Sequence, residues 1–235
     1  MSDAIVRVRG LRKAYGRVRA LDGVDLDIRT GEALAIAGRS GSGKSTLAAC
    51  LAGFEKPDAG AIARTCAARE VQLLWQEAGL GFNPRFTVRE VLEEPARITR
   101  RPPPDVVAIL RKAGLPEDAA HRRTGSLSGG QKARLALLRA LEAGPRVVIL
   151  DESLSSLDGT TRSRILDLLR RERAARGLAV VLITHDLELA AGAADRIIVM
   201  EAGRVVDQGA PQELLRAPQC PETRRLVDAI PGGWR

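Results

Sequence analysis

The chain has 235 residues, a formal net charge of +8 and three cysteines, Cys50, Cys66 and Cys220, without C-x-x-C spacing; this fits one large domain, or a core with a subdomain, that needs no disulfides or metals and sits in a reducing, cytoplasmic setting. The first residues open no secretory signal, and no apolar run approaches the about 20 residues of a membrane span, so a soluble chain is expected, docked at most on a membrane partner. The positive charge is scattered without a block of consecutive like charges, and three Phe, two Trp and one Tyr offer little stacking surface, which favours solvated faces over a nucleic-acid or anionic-membrane surface.

Residues 5–9 read as a strand. Tyr15, the only tyrosine, is either a core aromatic or a platform for a purine ring. Residues 24–28 alternate apolar and polar as a half-buried strand does, and residues 30–32 turn into a continuous apolar strand at 33–37. Residues 38–46, Gly-Arg-Ser-Gly-Ser-Gly-Lys-Ser-Thr, then fit G-x-x-x-x-G-K-[ST]. A helix over 44–51, stopped by Gly53, follows. Strand, glycine loop and helix form the context that gives this motif its meaning, against the plain alternative of a glycine-rich turn with a chance lysine. The backbone N–H groups of Gly38, Ser40, Gly41, Ser42, Gly43 and Thr46 converge on phosphate oxygens, helped by the positive end of the helix. Lys44 reaches the β- and γ-phosphates, and the Ser45 hydroxyl holds Mg²⁺.

Residues 55–60 read as loop and 71–75 as a buried strand ending at Gln76. That glutamine is either plain surface or a group that orients water and Mg²⁺. Residues 83–88 form a loop leading to a helix from Val88. Pro95 and the triplet 102–104 read as breaks around short helices at 88–94 and 106–114, so this stretch is expected to be a small helical subdomain inserted into an α/β core. Residues 127–131, Leu-Ser-Gly-Gly-Gln, open an apolar helix running to Leu141. Ser128 and Gln131 form a capping box, and the same bare helix end offers N–H groups and a hydroxyl to an anion.

Residues 147–150 are continuously apolar, the pattern of a central parallel strand, and end in Asp151 and Glu152. A carboxylate pair at such a strand end, downstream of a phosphate loop, suits a metal-holding Asp151 and a proton-accepting Glu152. Residues 155–158 are a loop before a helix at 161–176. A buried strand at 179–184 delivers His185 to its C-terminal end, where open α/β sheets bind ligands. Residues 197–206 read as a hairpin. Pro211 starts a short helix, and 221–230 forms a last one.

In this order the motifs resemble the nucleotide-binding subunit of an ABC transporter, over nearly the whole chain. Tyr15 matches the adenine-stacking position, Gln76 the Q-loop, 127–131 the LSGGQ signature, 156–158 the D-loop and His185 the switch. The resemblance implies an α/β fold: a P-loop NTPase (RecA-like) core with an N-terminal antiparallel β subdomain and an inserted α-helical subdomain. It divides the chain into 1–76 and 144–235 as core and 77–143 as helical subdomain. It implies ATP and Mg²⁺ as ligands, with Ser45, Gln76 and Asp151 on the metal and Glu152, His185 and Gln76 in catalysis. Two subunits would pair head to tail, with Ser128, Gly129, Gly130, Gln131 and Asp158 completing the partner's site. A closer resemblance joins residues 81–88 to the "SLNPR-x-TV" loop of peptide/nickel importer ATPases, and 214–231 to that family's C-terminal segment. Cys220 stands where those relatives carry His, Glu222 where they carry Tyr, and Glu77-Ala78 where they carry Asp-Pro. The expected function is therefore an ATPase that powers import of a peptide, nickel or related metal chelate. It would act at the cytoplasmic face of the membrane with permease subunits, a second ATPase subunit and a substrate-binding protein, and without nucleic acid. The alternative is a soluble ABC ATPase in a non-transport complex, such as phosphonate breakdown or a nucleic-acid-associated assembly.

Overall fold

A computed structural model of the chain describes residues 3–75, 81–154 and 157–230. The order is β1 (Ala4–Tyr15), β2 (Val18–Arg29), β3 (Ala33–Ala37), α1 (Lys44–Ala52), β4 (Ala59–Arg64), β5 (Val71–Leu74), α2 (Val88–Ile98), α3 (Val106–Lys112), α4 (Gly129–Glu142), β6 (Val147–Asp151), α5 (Gly159–Arg176), β7 (Ala179–Thr184), α6 (Leu187–Ala193), β8 (Arg196–Glu201), β9 (Arg204–Gly209), α7 (Pro211–Arg216) and α8 (Pro221–Asp228).

Two sheets result. β2, β1 and β4 form an antiparallel sheet, and β5-β6-β7-β3-β8-β9 forms a larger one in that spatial order. All neighbours in the larger sheet are parallel except β9, which turns back on β8 as an edge hairpin. The fold is thus the α/β architecture expected, with its antiparallel β subdomain.

The central strands bury both faces, and their alternate residues divide between two apolar cores. Leu34, Ile36, Val147, Ile149, Val181, Ile183, Ile198 and Met200 face α1 and the antiparallel sheet. Ala35, Ala37, Val148, Leu150, Val180, Leu182, Ile197 and Val199 face the remaining helices. Period-two side chains on a two-sided sheet give this division directly, and it explains why these strands read as unbroken apolar runs. Helix starts carry the caps that their sequences supply: Thr87 with Glu90 on α2, Asp105 on α3, Ser128 with Gln131 on α4, Asp158 on α5 and Asp186 on α6. Each such cap stabilises its helix by about 1 kcal/mol.

Two readings of local sequence are corrected. Ala59 and Gly60, read as loop, open β4, whose Ala, Gly and Arg residues lack the apolar alternation that marks a strand. Gly60 is pressed so closely on β1 that a Cβ there would lie 2.4 Å from the Gly10 carbonyl oxygen. Pro95, read as a break, lies inside α2, which runs on to Ile98. The proline ring is buried, and only one turn follows it. Thr99 closes that turn, its N–H and hydroxyl donating to the Pro95 carbonyl at 3.1 and 2.7 Å. A single missing N–H near a helix end is offset by such burial and capping.

Candidate nucleotide site

Register brings the site together. Ala37, the last residue of β3, pairs with Thr184, and Asp151 pairs with Ile183. The loop after β3, the carboxylates after β6 and His185 after β7 therefore leave the same C-terminal edge on adjacent strands. β5 joins them, since Leu74 pairs with Leu150. Gln76, two residues further on, lies outside the described residues, as does Ser156.

The loop 38–43 is an arch of backbone. Gly38, Gly41 and Gly43 have φ of +151°, +81° and +101°. A Cβ on Gly38 would meet the Met200 carbonyl oxygen at 2.3 Å, and one on Gly43 the Ala20 carbonyl oxygen at 2.3 Å. Glycine is therefore required at both ends by contact as well as by conformation. Gly43 precedes α1, whose first N–H groups have no intrahelical partner. Lys44 is buried, and its Nζ spans the arch, donating to the Gly38 and Arg39 carbonyls at 2.8 and 2.9 Å and to Ser42 Oγ at 3.4 Å. Burial pulls its pKa down, against the upward pull of Glu152 and Asp151.

Asp151 is buried as well. Burial pushes its carboxyl above the usual carboxylate range and the Glu152 charge adds to this, while a hydrogen bond with the Ser45 side chain and the Lys44 charge oppose it. Among the described residues its Oδ1 has no hydrogen-bond partner. A buried carboxylate oxygen left open beside a hydroxyl is a hard-oxygen donor set, the kind that suits Mg²⁺.

Glu152 has φ of +49°, a left-handed conformation that costs a residue with a Cβ about 1–2 kcal/mol. Its N–H donates to the Ile183 carbonyl at 3.0 Å. This turns the side chain out of the strand, and its Oε1 lies 3.5 Å from Nδ1 of His185, whose side chain is 61% exposed. The His185 loop is fixed by the next residue: the Asp186 N–H donates to Thr184 Oγ1 at 2.9 Å, and Asp186 caps α6.

Tyr15 lies at the β1–β2 turn, opposite Val18. It is 47% exposed, with the Lys13 ammonium 5.4 Å from its ring centroid. That exposure removes the core-aromatic reading.

The signature residues lie elsewhere again, at the start of α4. Ser128 Oγ accepts from the Gln131 N–H at 3.3 Å, and Gln131 Oε1 accepts from the Ser128 N–H at 3.0 Å. A Cβ on Gly129 would meet nothing within 4 Å, whereas one on Gly130 would lie 3.2 Å from Thr161 Oγ1. Asp158, the cap of α5, accepts from the Thr161 N–H at 2.9 Å, and hydrogen bonding at that cap, led by the Thr161 backbone N–H, holds its carboxyl below the usual range. The starts of α4 and α5 are thus neighbours. Among the described residues no hydrogen bond or ion pair joins either of them to loop 38–46. Sequence reading did not foresee the carbonyls of Ala20 and Met200 that seat this loop. No local signal marks such backbone contacts.

Comparison with known proteins agrees with this arrangement. A family profile described as ABC transporter matches residues 21–155. The methionine import ATP-binding protein MetN of Mesorhizobium japonicum is 38% identical over 97% of this chain and 67% of its own length. The probable D,D-dipeptide transport ATP-binding protein of Escherichia coli is 37% identical over 98% of this chain and 80% of its own. Among solved structures, cbiO1 of Clostridium perfringens, part of the ABC transporter complex cbiONQ, superposes with a TM-score of 0.82 at 30% identity, covering 96% of this chain and 95% of that one. The dimeric cassette MJ0796, in a post-hydrolysis state with ADP and Pi, gives a TM-score of 0.78 at 28% identity, over 88% of this chain and 98% of that one. With the phosphate loop, the carboxylate pair and the switch histidine on one sheet edge, these matches establish that the chain belongs to the ABC transporter family, as one of its ATP-binding cassette ATPases.

Proposed function

We propose that this ATPase powers import of a peptide, nickel or related metal chelate through separate permease subunits, and that its site works as follows. Loop 38–46 holds the triphosphate by its backbone N–H groups, and the Lys44 ammonium turns to the β- and γ-phosphates. Ser45 and Asp151 would hold Mg²⁺, with Gln76 as a further ligand. When bound, the ion neutralises phosphate charge. Glu152 takes the proton of the attacking water, and His185 steadies Glu152 and the γ-phosphate. Tyr15 stacks the adenine. The observation that carries the reading is the buried Asp151 Oδ1, unpartnered among the described residues, beside Ser45 and Lys44, with Glu152 next in the chain and His185 at the end of the adjacent strand.

Among the described residues the signature at Ser128–Gln131 and the Asp158 cap make no hydrogen bond or ion pair to the chain's own loop, and Ser128, Gly129 and Asp158 are exposed. We assign them to the γ-phosphate of a second ATPase subunit bound head to tail, this chain or a paralogue. ATP then favours the closed pair and ADP does not, which is the differential affinity a switch needs. Residues 77–143 would move as one helical unit against the core. The groove between β5, α2 and α4, of about 850 Å³ and lined by Leu73, Trp75, Phe82, Ile98 and Arg139, suits a permease segment at the cytoplasmic membrane face. A substrate-binding protein would deliver the cargo. Among the described residues no helix is long and apolar enough to cross a membrane.

The peptide/nickel class is supported by segment 81–88 and by the dipeptide-transport relative. The methionine-import relative, at 38% identity against 37%, supports amino-acid import as a second reading. Deletion of the gene, followed by uptake of labelled dipeptide, nickel and methionine, separates these. Loss of dipeptide or nickel uptake supports the first and loss of methionine uptake alone the second. Unchanged uptake of all three contradicts both.

A further inference from the structure

The phosphate loop is held from outside by the β8–β9 hairpin. The turn between Glu201 and Arg204 has Ala202 and Gly203 at φ +47° and +77°, the two left-handed residues of a tight hairpin. The Gly203 N–H donates to the Ser42 carbonyl at 3.0 Å, and its own carbonyl accepts from the Asp22 N–H at 2.9 Å. One glycine therefore bridges the loop to β2. The contact leaves no room: a Cβ on Gly203 would lie 2.8 Å from the Ala20 carbonyl oxygen, and one on Gly43 would lie 2.3 Å from the same atom. At the loop's other end, Gly38 rests on the Met200 carbonyl in β8.

One ion pair closes this seam. Arg204, the residue after Gly203, reaches Asp22 Oδ2 through Nε at 3.1 Å and Nη2 at 2.5 Å. The Asp22 side chain is 13% exposed and that of Arg204 65%. Arg12 and Arg19 stand farther off, at 3.8 and 3.9 Å from Asp22. Among the described residues the pair makes no hydrogen bond to the loop; it reaches the loop through the hairpin turn, where the Asp22 N–H meets Gly203, and along β2, where the Ala20 carbonyl seats Gly43.

We propose that Asp22 and Arg204 are positioning residues that hold the empty phosphate loop in its nucleotide-ready arch. A loop released from the hairpin spends part of its time in other shapes, and apparent affinity falls by the fraction still competent. Once nucleotide is bound the arch is restored, so the chemical step is untouched. The pair therefore sets KM and not kcat. This rests on loop 38–46 being the nucleotide cradle.

The test is a double-mutant cycle on the full chain, reading the Kd for a fluorescent ATP analogue with Mg²⁺, KM and kcat for ATP, and the melting temperature. Arg204→Gln and Asp22→Asn are each expected to raise Kd and KM about fivefold, the scale of a partly exposed ion pair, with kcat unchanged and the melting temperature lower by no more than about 2–4 °C. The double variant should be no worse than either single one, and Arg204→Lys should recover part of the loss. Unchanged Kd in Arg204→Gln overturns the proposal, as do effects that multiply in the double variant. Should Asp22→Asn fail to fold, the exposed Arg204→Gln decides alone. Lys44→Ala separates the two layers. If it leaves binding intact, the cradle itself is misassigned. If it abolishes binding while Arg204→Gln changes nothing, only the hairpin's role falls.

Discussion

Glu152 Oε1 and His185 Nδ1 lie 3.5 Å apart across the ends of β6 and β7. The pairing depends on Glu152's left-handed backbone, held by its N–H to Ile183. Strain kept at a strand end that carries a carboxylate suggests that the conformation serves chemistry. Glu152→Gln keeps the shape and removes the proton acceptor. Hydrolysis should fall at least about 100-fold, while nucleotide binding persists and the ATP-bound pair accumulates. Sedimentation velocity with Mg²⁺ and ATP, alone and mixed with a candidate paralogue, checks this; turnover at the parent rate would remove Glu152 as the base.

Lys44 donates to two loop carbonyls from a buried position. Lys44→Ala removes the cation that charge-assisted bonds to phosphate need. Nucleotide affinity should drop by at least about 100-fold, measured by fluorescent-nucleotide titration. The melting temperature should not fall in step, since burying an ammonium itself costs stability.

Gly129 has open space where a side chain would go, and it is the first residue of α4. Gly129→Asp adds a carboxylate at a helix N-terminus, which favours the helix by about 0.3–1 kcal/mol. Melting temperature and nucleotide binding to the single chain should hold or improve. ATP-driven pairing should be lost, because the new carboxylate meets the partner's γ-phosphate. Analytical sedimentation would expose the error if pairing survived.

Glu142 offers a pH test away from the site. Burial pushes its carboxyl above its ordinary value of 4.5, and the Glu172 charge adds to this. For an acid raised in the folded state, the fold binds the proton more tightly than the unfolded chain, so stability falls as pH climbs past the unfolded value. Glu142→Gln removes that loss. Its melting temperature at pH 7.5 should exceed the parent's. The gap should close as pH falls below the ordinary value. Calorimetry across pH shows whether it does.

Much of this was legible in the sequence because the signals were local. Strands β3, β6 and β7 announced themselves as apolar runs, since both their faces are buried. The glycine loop, the capping box at Ser128 and the carboxylates after Leu150 each carry their chemistry within a few residues. What was not legible is long-range or weakly patterned. β4 is Ala-Gly-Ala-Ile-Ala-Arg, with little apolar contrast. Pro95 sits in α2 because burial outweighs one lost hydrogen bond. The seating of Gly38 and Gly43 on Met200 and Ala20 involves backbone atoms, which leave no mark on residue type. Gln76 falls outside the described residues.

The central claim is that Lys44, Asp151 and Glu152 form an ATP-hydrolysing site completed by a second subunit. Phosphate release by the purified chain in Mg²⁺ and ATP, followed over a range of protein concentrations, tests it most directly. The account predicts release that climbs faster than in proportion to protein concentration and vanishes in Glu152→Gln. Release strictly proportional to protein concentration, or undiminished in Glu152→Gln, would contradict it.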